Sequence, residues 1–180
     1  MTILWILLAV VAIVALLYNK LVGLRNNLKN AWNQIDVQLK RRYDLIPNLV
    51  ESVKDSMSYE QDTLRQVVEA RNRAAAANTP AQVSAAEASL APAMGRFFGL
   101  MEAYPQLKAQ ENIARLMEEL TATENKISFA RQYYNDSVMR LNTAIETVPT
   151  NFIANIFNFK QEEYFSVPEA EKANIKVDLR

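Results

Sequence analysis

Residues 107–149 read LKAQENIARLMEELTATENKISFARQYYNDSVMRLNTAIETVP. Ile113, Leu116, Leu120, Ile127, Ala130, Tyr134, Val138, Leu141 and Ile145 recur along it at threes and fours, the period that gathers side chains on one face of an α-helix. Neither Gly nor Pro interrupts the pattern before Pro149, so the spacing predicts one long helix from about Leu107 to Val148. Outward from that helix the same period returns. Pro105 disfavours helical backbone at Tyr104 and closes a preceding helix near Ala103. That helix opens at Thr79-Pro80-Ala81-Gln82, with a Thr cap, Pro at the first helical position and Gln three residues past the cap. Pro92 should bend it. Gly95 and Gly99, four apart, suggest a close helix crossing, a weak signal outside lipid.

Two more stripes lie upstream. Leu21, Leu24, Leu28, Trp32, Ile35 and Leu39 project to one side of a first amphipathic helix, while Ile46, Leu49, Val50, Val53, Met57, Leu64, Val67 and Val68 form a second stripe running into Ala74–Ala77. Between them Asp44 can cap a new helix whose first turn holds Pro47. Asp44–Pro47 therefore reads either as a tight reversal or as a kink in a continuing helix. With a reversal, the second helix would outrun the first and reach lipid unless Gly23 broke the chain just outside the membrane. Beyond Pro149 lie Phe152, Ile156, Phe157, Phe159, Tyr164 and Phe165, and only residues 175–180 hint at strand-like alternation.

The first residues follow a different rule. Ile3 to Leu17 is an unbroken apolar run of fifteen residues, to be set against the roughly 20 that cross a bilayer. Its ends extend it: Trp5 and Tyr18 suit the two interfaces, and Lys20 can carry its ammonium outward from an apolar stem. A cleaved signal peptide would need a basic start and a small-x-small site. Residues 1–19 contain no Lys or Arg, and Ala9, Ala12 and Ala15 are spaced by three. A retained anchor is the better reading. Lys20, Arg25 and Lys29 all precede the first acid, Asp36. Basic flanks resist translocation, so the expected arrangement is N-terminus out, with residues 20–180 in the cytoplasm. The expected organisation is an anchor over 1–19, a helical bundle over 20–148 and an aromatic-rich segment and tail over 149–180.

Composition removes most chemistry. The 180 residues include no Cys and no His, which excludes disulfides, thiolate nucleophiles, imidazole triads and His-containing metal sites. The di-iron pattern of helical bundles needs its Glu-x-x-His half. Three Gly leave no phosphate-binding loop. Twenty basic and twenty acidic side chains balance to a formal charge of +0, so no general field attracts nucleic acid. Neither an enzyme, a cofactor, a nucleic-acid partner nor a small-molecule substrate is expected. The expected partners are the lipid bilayer and further copies of the chain or another membrane protein.

Two groups of residues stand out. Glu60 and Arg71 fall inside the second apolar stripe, and Glu124, Arg131 and Asn135 lie together on one border of the last. Buried charges persist when paired, so these five suggest an internal ion network, with a polar ligand site as the alternative. Lys40-Arg41-Arg42 reads as a solvated helix turn or as a contact for anionic head groups. Phe129 and Tyr133 project away from the apolar stripe of the last helix. Either the segment containing Phe152, Phe157 and Phe159 covers them, or these rings form an interaction surface.

Several stretches resemble the LemA family of bacterial membrane-anchored proteins. They are Tyr18-Asn19 with Leu21-Val22-Gly-Leu-Arg25-Asn26, AWNQIDVQLKRRYDLIPNLVESVK from Ala31 to Lys54, EAYPQLK from Glu102, TENKISFARQYYND from Thr123 to Asp136, and PTNFIA from Pro149. The resemblance implies a short outward N-terminus, one transmembrane helix and a cytoplasmic antiparallel four-helix bundle, hence an all-α fold. It supplies no reaction, cofactor or catalytic residue. A scaffold or adaptor is the expected role, with a subunit of an envelope-stress or membrane-protease system, or a membrane-shaping protein, as alternatives. Two positions depart from the family pattern: Pro92 replaces an ordinary helix former, and Asn158 stands where Gly is expected.

Overall fold

A computed structural model describes residues 1–165, and all regular structure among them is helical. The helices are α1 (Thr2–Val53), α2 (Gln61–Ala75), α3 (Pro80–Met101), α4 (Pro105–Lys108), α5 (Glu111–Glu146) and α6 (Thr150–Ile156), with a 3-10 turn at Ser58–Glu60 before α2. The strand-like pattern over 175–180 lies outside the described residues. Two compact units divide the chain, one from Met1–Asp36 with Ser128–Tyr164, the other including Val37–Ile127 and Phe165. Both α1 and α5 contribute to each.

In the first unit, α1 buries Leu21, Leu28, Ala31 and Ile35, and α5 buries Ala130, Tyr134, Val138 and Leu141. These are stripe positions of the sequence pattern, apart from Ala31. Trp32 meets Tyr134 edge-on with ring centroids 5.7 Å apart, a favoured aromatic geometry. The segment after α6 lies on α5. Asn142 donates from Nδ2 to the Glu162 carbonyl and accepts from the Glu162 amide, both at 2.9 Å, while the Tyr134 hydroxyl donates to the Glu163 carbonyl at 3.1 Å. An extended segment with no sheet partner thereby has its backbone groups satisfied.

In the second unit the core is Leu39, Ile46, Leu49 and Val53 of α1, Leu64 and Val67 of α2, Val83, Leu90 and Phe97 of α3, and Ile113, Leu120 and Ile127 of α5. α2 packs on α3. The α3 start forms as the sequence predicts: Thr79 Oγ1 accepts the Gln82 amide at 3.2 Å, with Pro80 in the first turn.

Three local expectations are corrected. Helix α1 runs on through Gly23, so no break forms there. It also runs on through Pro47, so of the two readings of Asp44–Pro47 the continuing helix is the observed one. Helix α1 ends instead at Val53, in a turn at 54–57 where the Ser56 and Met57 amides bond the Val53 carbonyl, splitting the stripe expected to form one helix. Gly95 and Gly99 do not mark a close crossing either: a Cβ at each would meet no described atom within 4 Å.

Pro47 is tolerated for a reason visible in α2. Proline lacks the amide hydrogen that would bond the carbonyl four residues back, which orphans the Tyr43 carbonyl. Arg71 donates its Nε–H to that oxygen at 2.6 Å and places a terminal nitrogen 3.6 Å from Asp44. The two oddities of the sequence, a mid-helix proline and an arginine in an apolar stripe, are one interaction. Arg71→Met should cost about 1–2 kcal/mol, the penalty for a partly buried acceptor without a donor. Pro47→Ala in the same chain should return most of it, because the restored amide reaches the same carbonyl. Urea unfolding of the four chains measures the coupling. Equal effects of Pro47→Ala with and without Arg71 would disprove it.

Candidate functional site

A buried polar cluster lies in the second unit, on the inner face of α1. Leu39, Tyr43 and Ile46 follow helical spacing, and Arg42 shares that face, so its guanidinium enters the core and is only 5% exposed. On α3, Glu87 stands in the apolar series Val83, Glu87, Leu90 and is also buried. Arg42 pairs with Glu87 through one terminal nitrogen and with Glu124 of α5 through the other, the latter at 2.8 Å. The Tyr43 hydroxyl donates to the second Glu87 oxygen at 2.7 Å. At the solvent edge Arg41 meets Glu119 at 3.3 Å, both half exposed.

Burial by itself would lower the Arg42 pKa; the Glu87 and Glu124 carboxylates overturn that, and the guanidinium is held above its ordinary value. Burial pushes the Tyr43 hydroxyl well up, and the Glu87 charge beside it pushes further. In the first unit burial raises Tyr134, with Glu162 and Glu163 adding to it. The chemical consequence is a fixed electrostatic clamp. Arginine does not exchange its proton near neutrality, and the phenol stays protonated as a donor.

A pH signature follows. An unfolded tyrosine loses its proton near 10.0, whereas folded Tyr43 and Tyr134 retain theirs to higher pH. Their contribution to stability is complete below that value and is lost as pH rises through the folded range. Tyr43→Phe should lower stability at neutral pH, by removing a donor from Glu87, and flatten the alkaline loss. Unfolding measured between neutrality and strong alkali would show both, and an unchanged alkaline slope would contradict the placement of the phenol.

Glu124 joins the Arg42 clamp, Arg71 serves the Tyr43 carbonyl, and Glu60 ends half-buried in the 3-10 turn rather than on a helix stripe. Arg131 and Asn135 are half-buried on α5 in the other unit. Arg42 and Glu87 were not among the selected five. The basic run is solvated at Lys40 and Arg41 but not at Arg42, which corrects the expectation for the run as a whole.

The second candidate surface is aromatic and belongs to the first unit. Tyr18, at the end of the apolar run, meets Phe157 in a tilted arrangement with centroids 4.7 Å apart and Phe159 edge-on at 6.0 Å. The Arg25 guanidinium carbon lies 5.0 Å from the Phe159 ring centroid, within cation–π range. Asn158 makes this turn: its φ of 55° is left-handed, its amide bonds the Asn155 carbonyl at 3.3 Å, and the Phe159 amide bonds Ala154 at 2.9 Å. That is a Schellman closure, which favours Gly and next Asn. The aromatic segment packs on Tyr18 rather than on Phe129, which stays 72% exposed among the described residues, with Tyr133 at 44%. Phe152, Trp5 and Lys20 are exposed as well.

Apolar side chains from Ile3 to Leu16 are exposed along α1, in a helix long and apolar enough to cross a membrane. Joined to helical units closed by internal ion and ring contacts, they define a membrane-associated, all-helical protein. The chain belongs to the LemA family, whose sequence profile matches residues 31–179. Similar proteins include magnetosome protein MamQ 2 of Paramagnetospirillum magneticum, 24% identical over 88% of this chain and 69% of its own. Magnetosome protein MamQ of Magnetospirillum gryphiswaldense is 22% identical over 88% and 68%. Protein LemA of Metamycoplasma hominis is 24% identical over 87% and 72%.

Proposed function

We propose that this protein is a non-enzymatic, single-pass scaffold or adaptor of the bacterial inner membrane, acting through a cytoplasmic helical bundle that associates with copies of itself. The observation that carries the proposal is the exposed apolar run of α1, in a helix long and apolar enough to cross a membrane. An orientation with the N-terminus out is supported by Lys20, Arg25 and Lys29 on the flank of the run. Within residues 37–127, α1, α2, α3 and α5 are read as an antiparallel four-helix bundle. The ties from α1 to each of the other three helices, through Arg42 and Arg71, support that arrangement.

The test is gentle detergent extraction of the full chain after crosslinking in cells, followed by mass spectrometry of the products. Self-crosslinked copies are expected. A membrane protease as the sole crosslinked partner would replace the scaffold with a regulatory subunit, and a monomer with no partner would overturn the proposal. A second reading, a protein that shapes membranes, is favoured by relatives named for the magnetosome. It requires vesicles carrying the full chain to deform under electron microscopy, whereas a scaffold leaves them spherical.

A further inference from the structure

The apolar run of α1 is short for its task. Ile3–Leu17 covers roughly 22 Å at about 1.5 Å per residue, against a hydrocarbon core of about 30 Å. The missing length falls on the next turn and a half of α1, at Tyr18 to Val22. That stretch is not bare helix. Leu21 is completely buried within the first unit, and Tyr18 is half covered by Phe157 and Phe159. The segment that covers it carries an unusual outer face. Ile153 and Ala154 are the buried positions of α6, yet Phe152 and Ile156, four residues apart on another side, are 61% and 73% exposed. Asn155 lies exposed beside them on α6 and Asn158 exposed in the turn that follows, whereas Asn151 is half-buried with its side-chain oxygen enclosed.

The geometry points to a second lipid-contacting element: α6 and the turn at Asn158 form an apolar collar around the end of the anchor, inserted into the bilayer interface. Phe152 and Ile156 enter the upper acyl region, the Asn155 and Asn158 amides lie among the head groups, and the Tyr18–Phe157–Phe159 cluster joins collar to anchor. The occupant of the exposed face is the bilayer because the face is continuous with the anchor at Tyr18, at the level where the apolar run ends. A short hydrophobic span otherwise thins the bilayer or draws in flanking residues; here the flanking residues are brought by a helix remote in sequence. Arg25 over Phe159, with exposed Lys20 and Lys160, places cations at head-group height.

This inference rests on the membrane-anchor part of the proposed function, and its test separates the two. The chain has no native Cys, so single substitutions Ile156→Cys, Phe152→Cys, Leu8→Cys and Asp136→Cys accept one nitroxide label each. All four positions are exposed, so folding is preserved. The labelled full chain is reconstituted into phosphatidylcholine vesicles containing phosphatidylglycerol. Paramagnetic resonance then compares collisions with oxygen, which concentrates in lipid, and with a water-soluble nickel chelate. Labels at Phe152 and Ile156 should favour oxygen, as at Leu8 but less strongly, and the label at Asp136 should favour nickel. Nickel preference at both collar positions while Leu8 keeps its oxygen preference would overturn the collar and leave the anchor intact. Nickel preference at Leu8 would remove the anchor and the collar with it. Shielding from both reagents, with dipolar broadening between labels, would assign the face to a second copy and overturn its assignment to lipid.

Discussion

Arg42→Met is expected to destabilise the protein by about 3–5 kcal/mol, the range for removing one partner from a buried ion pair. The Glu87 carboxylate would stay in the core with the Tyr43 hydroxyl but without the charge that neutralises it. Glu124 would lose the same partner at little cost, because it is 44% exposed and water replaces the guanidinium. Such a loss is a large fraction of the roughly 5–15 kcal/mol that holds most domains folded, so the variant should also be degraded faster in cells. Replacing the whole cluster by apolar groups, with Arg42→Met, Glu87→Leu and Tyr43→Phe together, should recover most of the loss. Buried ion pairs commonly repay little more than their desolvation cost. Circular dichroism of the detergent-solubilised full chain during urea unfolding would compare the variants. A single substitution costing less than about 1 kcal/mol, as at an exposed pair, would show that Arg42 is solvated. A triple variant no more stable than the single would show that the clamp contributes more than charge pairing.

The Arg42 clamp also marks where sequence reading stops. Helices were legible because their apolar residues repeat, and the stripe of residues 107–149 is buried at Ile113, Leu120, Ile127, Ala130, Tyr134, Val138 and Leu141. The same rule held the signal for Arg42 and Glu87. Arg42 falls three residues after Leu39 and four before Ile46, and Glu87 four after Val83 and three before Leu90. In a run of Lys40-Arg41-Arg42 the charge pattern outweighs the period, and the whole run reads as a solvated turn or a head-group contact. The partners are 45 and 82 residues away along the chain, a separation that no local pattern encodes. Pro47 stays ambiguous in the sequence, between a reversal and a kink, for a related reason. Proline is a helix breaker when the carbonyl it orphans has no donor, and here the donor to the Tyr43 carbonyl is Arg71, 28 residues beyond Tyr43. The turn at 54–57 has no Gly or Pro to announce it. It coincides with Met57, completely buried, so packing ends α1 where propensity would have continued it. Asn158 went the other way: a departure from the family pattern resolves into a left-handed residue, where Asn is the usual substitute for Gly.

Ile127→Asp should cost as much as loss of the clamp, again about 3–5 kcal/mol for an uncompensated buried charge. Its neighbourhood makes the comparison sharp. Ile127 lies three residues after Glu124 on α5, so the two side chains are one turn apart on the same helix. At position 124 a carboxylate is accommodated because the side chain is 44% exposed and Arg42 donates to it at 2.8 Å. At position 127 the side chain is 1% exposed within an apolar core. Thr123, also buried, shows how polarity is admitted on this face: its hydroxyl donates to the Glu119 carbonyl one turn back, at 2.7 Å. An aspartate at the next buried position has a carboxylate that can only accept, and carbonyls cannot donate to it. Ile127→Asn, of similar size but neutral, should lose less, and the difference between the two isolates the charge from the cavity. Urea unfolding of the full chain in detergent reads both. If Ile127→Asp unfolds like the parent, the helical phase of α5 is wrong, and the placement of Glu124 against Arg42 one turn earlier is wrong with it.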